Sequence, residues 1–148
     1  MPGRGFRRKT TGMGLPTMSN WAKKYGKDLY NRYRGQAPKY DISEIRLWCK
    51  RYHNELNGWI RSGEKCPEFM DRKTWTVYLL DMRLGFADAY HALGDRNFKA
   101  AVLALDTVVE AQAAGYMAYQ RAKRVAFEQE YKEAMQELKG EIEPDDFR

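Results

Sequence analysis

One helical phase runs through the C-terminal third of the sequence. Phe98, Val102, Leu105, Val109, Tyr116, Phe127, Tyr131 and Leu138 all map to one side of a helical wheel. Leu105, Tyr116, Phe127 and Leu138 are spaced by eleven residues, close to the natural period of an α-helix. A strand would throw such residues onto alternating faces. Some forty residues, opened by Asp95 as a cap, are therefore committed to helix. They form either one helix of roughly 60 Å or two helices meeting near Gly115.

The same period recurs upstream. A first helix is expected from Thr17 or Ser19, either serving as N-cap, to Arg34, with Gly35 as the stop. Trp21, Tyr25, Leu29 and Tyr33 share one face; Lys23, Lys27, Asn31 and Arg34 share the opposite one, with Lys24 beside them. After a linker around Pro38, a second helix starts at Asp41 or Ser43 and runs to about Ser62. Its apolar stripe holds Ile45, Trp48, Cys49, Tyr52, Leu56, Trp59 and Ile60. Arg46, Lys50 and Arg61 share a flank with His53, Asn54 and Asn57, while Glu44 and Glu55 lie on the other side. A third helix over residues 72–93 ends at Gly94 and carries apolar residues on two sides, Val77, Leu80 and Leu84 lying opposite the main face. No strand-like alternation appears. The expected fold is all-α: a basic N-terminal arm with one amphipathic helix (residues 1–40), a helical bundle with a long C-terminal helix (residues 41–140), and an acidic tail (residues 141–148).

The formal net charge of +6 is unevenly placed. Residues 1–40 hold ten bases (Arg4, Arg7, Arg8, Lys9, Lys23, Lys24, Lys27, Arg32, Arg34, Lys39) and one acid, Asp28; the other 108 residues hold 16 bases and 19 acids. A +9 arm on a −3 body points to a polyanion partner reached through one end. Residues 1–16, with four glycines and two prolines, read as an extended segment in which cations surround Phe6. Basic side chains alternate with aromatics from Trp21 to Arg34. The cations suit phosphates; the aromatics could stack on bases, but their spacing fits helix packing better. Two successive helices with acid-free basic flanks suggest a clamp on the polyanion.

Other classes are not indicated. The longest apolar run, residues 100–105, is far short of the roughly 20 residues of a membrane span, and the basic N-terminus lacks the apolar stretch of a signal peptide. His53 and His91 sit in no metal-binding motif, the Gly12–Gly14 stretch lacks the Lys-Ser/Thr of a phosphate loop, and no Ser or Thr has an activating base in a known pattern. Cys49 and Cys66 show neither zinc-site spacing nor the density of a disulfide scaffold, and read as two buried thiols, with a single bridge left open. The expectation is a binding protein without catalytic residues, metal, cofactor or small-molecule substrate.

The N-terminal residues carry a resemblance. Residues 1–34, with Arg4, Arg7, Arg8 and Lys9, then Pro16, Ser19 and the run Trp21-Ala-Lys-Lys-Tyr25-Gly26-Lys27, resemble the start of major coat proteins of filamentous and rod-shaped archaeal viruses, of rudivirus, lipothrixvirus and tristromavirus type. The likeness covers about a quarter of the chain. It implies a virion nucleocapsid protein whose paired subunits, identical or paralogous, wrap double-stranded DNA in a helical filament, in A-form. Carried over by position, DNA contact would fall on Arg4, Arg7, Arg8, Lys9, Lys23, Lys24, Lys27, Arg32 and Arg34, and on Arg46, Lys50 and Arg61 of the second helix. The implied location is the virion, assembled inside the host cell. An alternative from another class is a small cytoplasmic subunit of an RNA-guided or terminase-like complex, with the same flanks tracking a single strand.

Overall fold

A computed structural model describes residues 14–141, and within them the chain forms four α-helices and no strand: α1 (Gly14–Tyr33), α2 (Ile42–Ser62), α3 (Arg72–Gly94) and α4 (Phe98–Glu141). The all-α expectation is met. The reading of residues 1–16 as an extended segment is corrected at 14–16, which open α1, and that of 141–148 as a tail at Glu141, which ends α4; residues 1–13 and 142–148 lie outside the described residues.

Local chemistry sets most of the helix ends. Asp41 caps α2 by accepting from the Ser43 N–H at 3.0 Å, and Gly63 ends it in the left-handed region, φ 73°, donating to the Trp59 carbonyl. Asp71 caps α3 through the backbone N–H and hydroxyl of Thr74, both at 3.0 Å. Those bonds hold its carboxylate below its ordinary range. Three expected ends move. α1 begins at Gly14, ahead of Thr17 and Ser19, because Pro16 is compatible with a first turn whose N–H groups have no helical partner anyway. Gly94 remains helical and Arg96, φ 55°, takes the left-handed position. Asp95 closes α3, and the cap of α4 is Asn97, which accepts from the Ala100 N–H at 3.1 Å.

The helices run up, down, up and down. Gly85 and Gly115 of α3 and α4 meet Val108 and Trp75 respectively, so sequence position rises along one helix as it falls along the other. The same antiparallel sense appears where Leu15 of α1 shares a cleft with Gly115 of α4 and Gly26 lies against Leu105, and where Arg46 and Asn57 of α2 reach Tyr90 and Arg83 of α3. α1 packs on α4, α4 on α3 and α3 on α2. The remaining seam, between α1 and α2, is bridged by large rings. Trp21 meets Tyr52 edge-on at 5.4 Å, Tyr52 lies 5.3 Å from Phe86, and the Trp59 indole occupies the space a Cβ on Gly14 would need. Phe86, Leu105 and Val108 are fully buried at the centre.

α4 is a single helix of 44 residues, roughly 66 Å long. Gly115 does not break it: it is buried, and a Cβ there would lie 3.3 Å from Trp75 and Tyr78. Its lack of a side chain lets α3 approach. Only the first half of the apolar stripe is covered. Leu105 is buried and Val109 half-buried, whereas Tyr116, Phe127, Tyr131 and Leu138 are exposed: the described part of α1 starts level with residues 112–116, and past it Phe69 meets Phe127 edge-on at 5.8 Å. Among the described residues the second apolar side of α3 is likewise uncovered, Val77 and Leu84 being exposed.

The cysteines are unbridged. Cys49 is buried, and burial pushes its thiol up to about 12. Cys66 is only half-buried, with its sulfur 3.5 Å from the Met70 carbonyl, which corrects the reading of two buried thiols. Because the folded pKa of Cys49 lies above its ordinary value of 9.0, its contribution to stability is complete below that value and is lost as pH rises towards about 12. Thiol labelling of the folded protein should modify Cys66 first and Cys49 only on unfolding; equal labelling would contradict the buried placement. A second prediction concerns the α3–α4 contact, where a Cβ on Gly85 would sit 2.7 Å from Val108 and 2.8 Å from the Ala104 carbonyl oxygen. Gly85→Ala should destabilise the fold by about 1–3 kcal/mol in chemical denaturation, despite alanine's better helix propensity.

Candidate nucleic-acid interface

α1 presents its cations because its apolar residues face the bundle. Met18, Ala22 and Leu29 are buried against the other helices, which turns Lys23, Lys27, Tyr30 and Arg34 outward at intervals of four, three and four residues. These four form one exposed stripe, about 16 Å from first to last Cα. Arg34 donates to the Tyr30 hydroxyl at 3.0 Å, so the ring and the guanidinium sit side by side at its end. Lys24, also exposed, holds its ammonium 5.4 Å from the centres of both the Tyr25 and Tyr40 rings.

The single acid of α1 is taken out of this surface. Asp28 is only 4% exposed; it pairs with Arg32 at 3.3 Å and accepts from the Lys39 backbone N–H at 2.9 Å. Arg32 also donates to the Tyr40 carbonyl. Together the two side chains fold the linker back onto α1. Asp28 and Arg32, four residues apart, are an i, i+4 pair that the sequence displays, although the pattern does not tell a structural cation from a surface one. The outward stripe is acid-free because its counter-charge is used internally. Arg32, one of the expected DNA contacts, is thereby engaged in holding the linker.

The aromatics divide in the same way. Trp21 and Tyr25 pack on one another at 4.7 Å and belong to the seam with α2, as the packing interpretation anticipated. Tyr33 departs from it. It is half-exposed at the end of α1, where the antiparallel register brings it level with the start of α4 and no other described residue covers it. Tyr30 and Tyr33 are thus the rings of α1 open to a partner.

The flank of α2 is used differently from the clamp that was expected. Arg46 donates to the Tyr90 carbonyl at 3.0 Å and holds its guanidinium carbon over the Tyr90 ring, 3.9 Å from its centre. A Cβ on Gly94 would meet that guanidinium at 2.8 Å. Arg46 therefore serves the C-terminal turn of α3, where a cation also suits the helix dipole. Asn57, on the same flank, accepts from Arg83 at 2.7 Å. Lys50 and Arg61 remain exposed, but they lie on the side of α2 that leans towards α3, whereas Trp48, Tyr52 and Trp59 face α1. The basic residues of α1 and α2 do not converge on one face. Arg4, Arg7, Arg8 and Lys9 lie outside the described residues.

No family model matches this sequence, and no characterised protein or solved structure is significantly similar to it. The side-chain geometry alone therefore bears on function.

Two further features complete the surface. Among the described residues, no group of three or more His, Cys, Asp or Glu side chains is placed to hold a metal ion, and no helix is long and apolar enough to cross a membrane. A cleft of about 180 Å³ lies where the start of α1 meets α3 and α4; Leu15, Trp75, Tyr78, Gly115 and Tyr116 line it, and the buried Trp75 indole N–H has no hydrogen-bond partner among the described residues.

The division of cations into inward and outward sets is testable. Asp28→Asn should cost roughly 1–3 kcal/mol of stability, since a carboxylate that accepts from Arg32 and Lys39 is lost. Arg32→Ala should likewise lower the melting temperature. Comparable thermal shifts from Lys23→Ala or Lys27→Ala would show that the outward stripe is structural as well.

Proposed function

We propose that this chain is a structural nucleic-acid-binding protein, a virion coat subunit that packages double-stranded DNA through its basic N-terminal segment and α1. Support comes first from the stripe on α1: Lys23, Lys27 and Arg34 are exposed on one helix face from which the only acid is withdrawn. A surface evolved for solubility alone mixes signs. The stripe is continuous in sequence with Arg4, Arg7, Arg8 and Lys9, so one covalent segment offers a run of phosphate partners. Contacts of this kind position a protein on the duplex backbone without reading bases. Lys24 stands beside the stripe, whereas Arg32 and Arg46 are removed from the set by their internal partners. Lys50 and Arg61 would touch nucleic acid only where a second duplex segment passes α2. The resemblance of residues 1–34 to archaeal virus coat proteins adds the filament to this picture, and the uncovered apolar sides of α3 and α4 suit a protein that contacts neighbours.

Binding to duplex DNA should weaken steeply with salt, because each phosphate neutralised releases condensed counterions. The triple variant Lys23→Ala, Lys27→Ala, Arg34→Ala should lower affinity uniformly across sequences. It should also reduce the slope of log K against log salt by about 2–3, at roughly 0.9 per phosphate contact. Nuclease protection and electron microscopy of the protein–DNA mixture should show a regular filament. Salt-insensitive binding, or none, would overturn the proposal. A marked preference for single-stranded RNA would transfer the same stripe to a guide-tracking subunit.

A further inference from the structure

The cleft at the start of α1 has the size and lining of a site for a small ring. Its volume of about 180 Å³ exceeds the roughly 150 Å³ of an engineered cavity that takes up benzene. It falls below the roughly 300–1,000 Å³ of sites for drug-sized ligands. The space therefore suits a molecule of one or two rings. Leu79 and Met82, both buried, give it apolar walls, and Trp75, Tyr78, Tyr116 and Tyr119 bring four rings to its lining. Gly115 keeps it open, since a Cβ there would stand 3.3 Å from Trp75 and Tyr78. Rings so placed hold a planar guest in the offset and edge-on geometries that their quadrupoles favour.

The polar groups select among planar guests. Trp75 is only 7% exposed, and its buried indole N–H meets no acceptor among the described residues, a state that few interior groups keep. Gln112 adds an amide and the tyrosines add hydroxyls to the same lining. Among the described residues that line the cleft there is one cation, Lys65, and no acid. The Lys65 ammonium already sits over the Trp59 ring, 4.9 Å from its centre, so it does not call for an anionic guest. Its field still opposes a cationic one. We propose that this cleft binds a planar, uncharged heteroaromatic molecule of one or two rings, stacked against the aromatic walls and carrying a hydrogen-bond acceptor on its edge. The cleft is separate from the stripe on α1, so this proposal and the nucleic-acid proposal stand or fall independently.

The test titrates quinoline, a two-ring heterocycle with a ring-nitrogen acceptor, into the full chain labelled with nitrogen-15. The readout is the indole N–H signals of the four tryptophans, with Trp75→Phe identifying the Trp75 signal by its loss. That signal should shift saturably, with a dissociation constant in the millimolar range or tighter, as a ligand of about ten heavy atoms allows. The signal of Trp48, which does not line the cleft, should stay in place. Indole, equally flat but without an in-plane acceptor, should bind several-fold more weakly; N-methylquinolinium, flat, cationic and without an acceptor, should not bind. Tyr116→Ala and Tyr119→Ala should each raise the quinoline dissociation constant about fivefold or more, and Tyr131→Ala, farther along α4, should leave it unchanged. Tyr116 is 53% exposed, so its variant keeps the test decisive should Trp75→Phe fail to fold. A Trp75 signal that does not move overturns the proposal. So does equal affinity for quinoline and either control ring, and so does an affinity that neither Tyr116→Ala nor Tyr119→Ala changes.

Discussion

The arrangement of this protein depends on how closely α3 and α4 approach. Gly85 leaves no room for a Cβ beside Val108 and the Ala104 carbonyl, and Gly115 admits the rings of Trp75 and Tyr78 against the α4 backbone. Buried alanines at 101, 104 and 111 line the same side of α4. With the two longest helices in close contact, the other two settle around them. α1 lies against α4 and α2 against α3, leaving a wider seam between α1 and α2. Small side chains cannot span that seam, and the chain closes it with Trp21, Tyr25, Trp48, Tyr52 and Trp59. The aromatic richness of the N-terminal half, which from sequence could serve base stacking, is in large part a consequence of this geometry.

Helix existence and apolar faces were legible because the 3.6-residue period speaks directly to burial. Gly35 was a legible stop, since left-handed backbone favours glycine. Less legible was what each glycine was for. Gly115 resembled a break and is a point of close contact; Gly94 resembled a stop and leaves room for the Arg46 guanidinium. Such roles depend on a neighbour distant in sequence, and no local pattern carries that information. The same holds for the cations. Arg46 shares the flank of Lys50 on a helical wheel, and only α3 sets the two apart; Arg32 lies away from the Lys23–Arg34 stripe, but the linker that occupies it is not on the wheel.

Charge in this fold therefore works in two registers. Buried and half-buried charges, Asp28 with Arg32 and Arg46 on Tyr90, tie segments together where desolvation makes a good partner worth more. Removing their acids and carbonyls from the surface leaves the exposed cations of α1 unneutralised by their own helix. An acid-free cationic face is thus obtained without a large excess of basic residues, and the body keeps a mildly acidic balance beside it.

Gly14, the first residue of α1, lies against Trp59, and α1 starts level with residues 112–116 of α4. Gly14 therefore stands at the pole from which α4 projects. Tyr33 and Phe98 mark the opposite pole, where the helices end together. The described molecule is consequently a vectorial object, with the start of α1 and the projecting helix at one pole and a blunt face at the other. Any array built from it inherits a head and a tail in each subunit. Whether that polarity survives or cancels in the array is decided by the symmetry with which the heads meet.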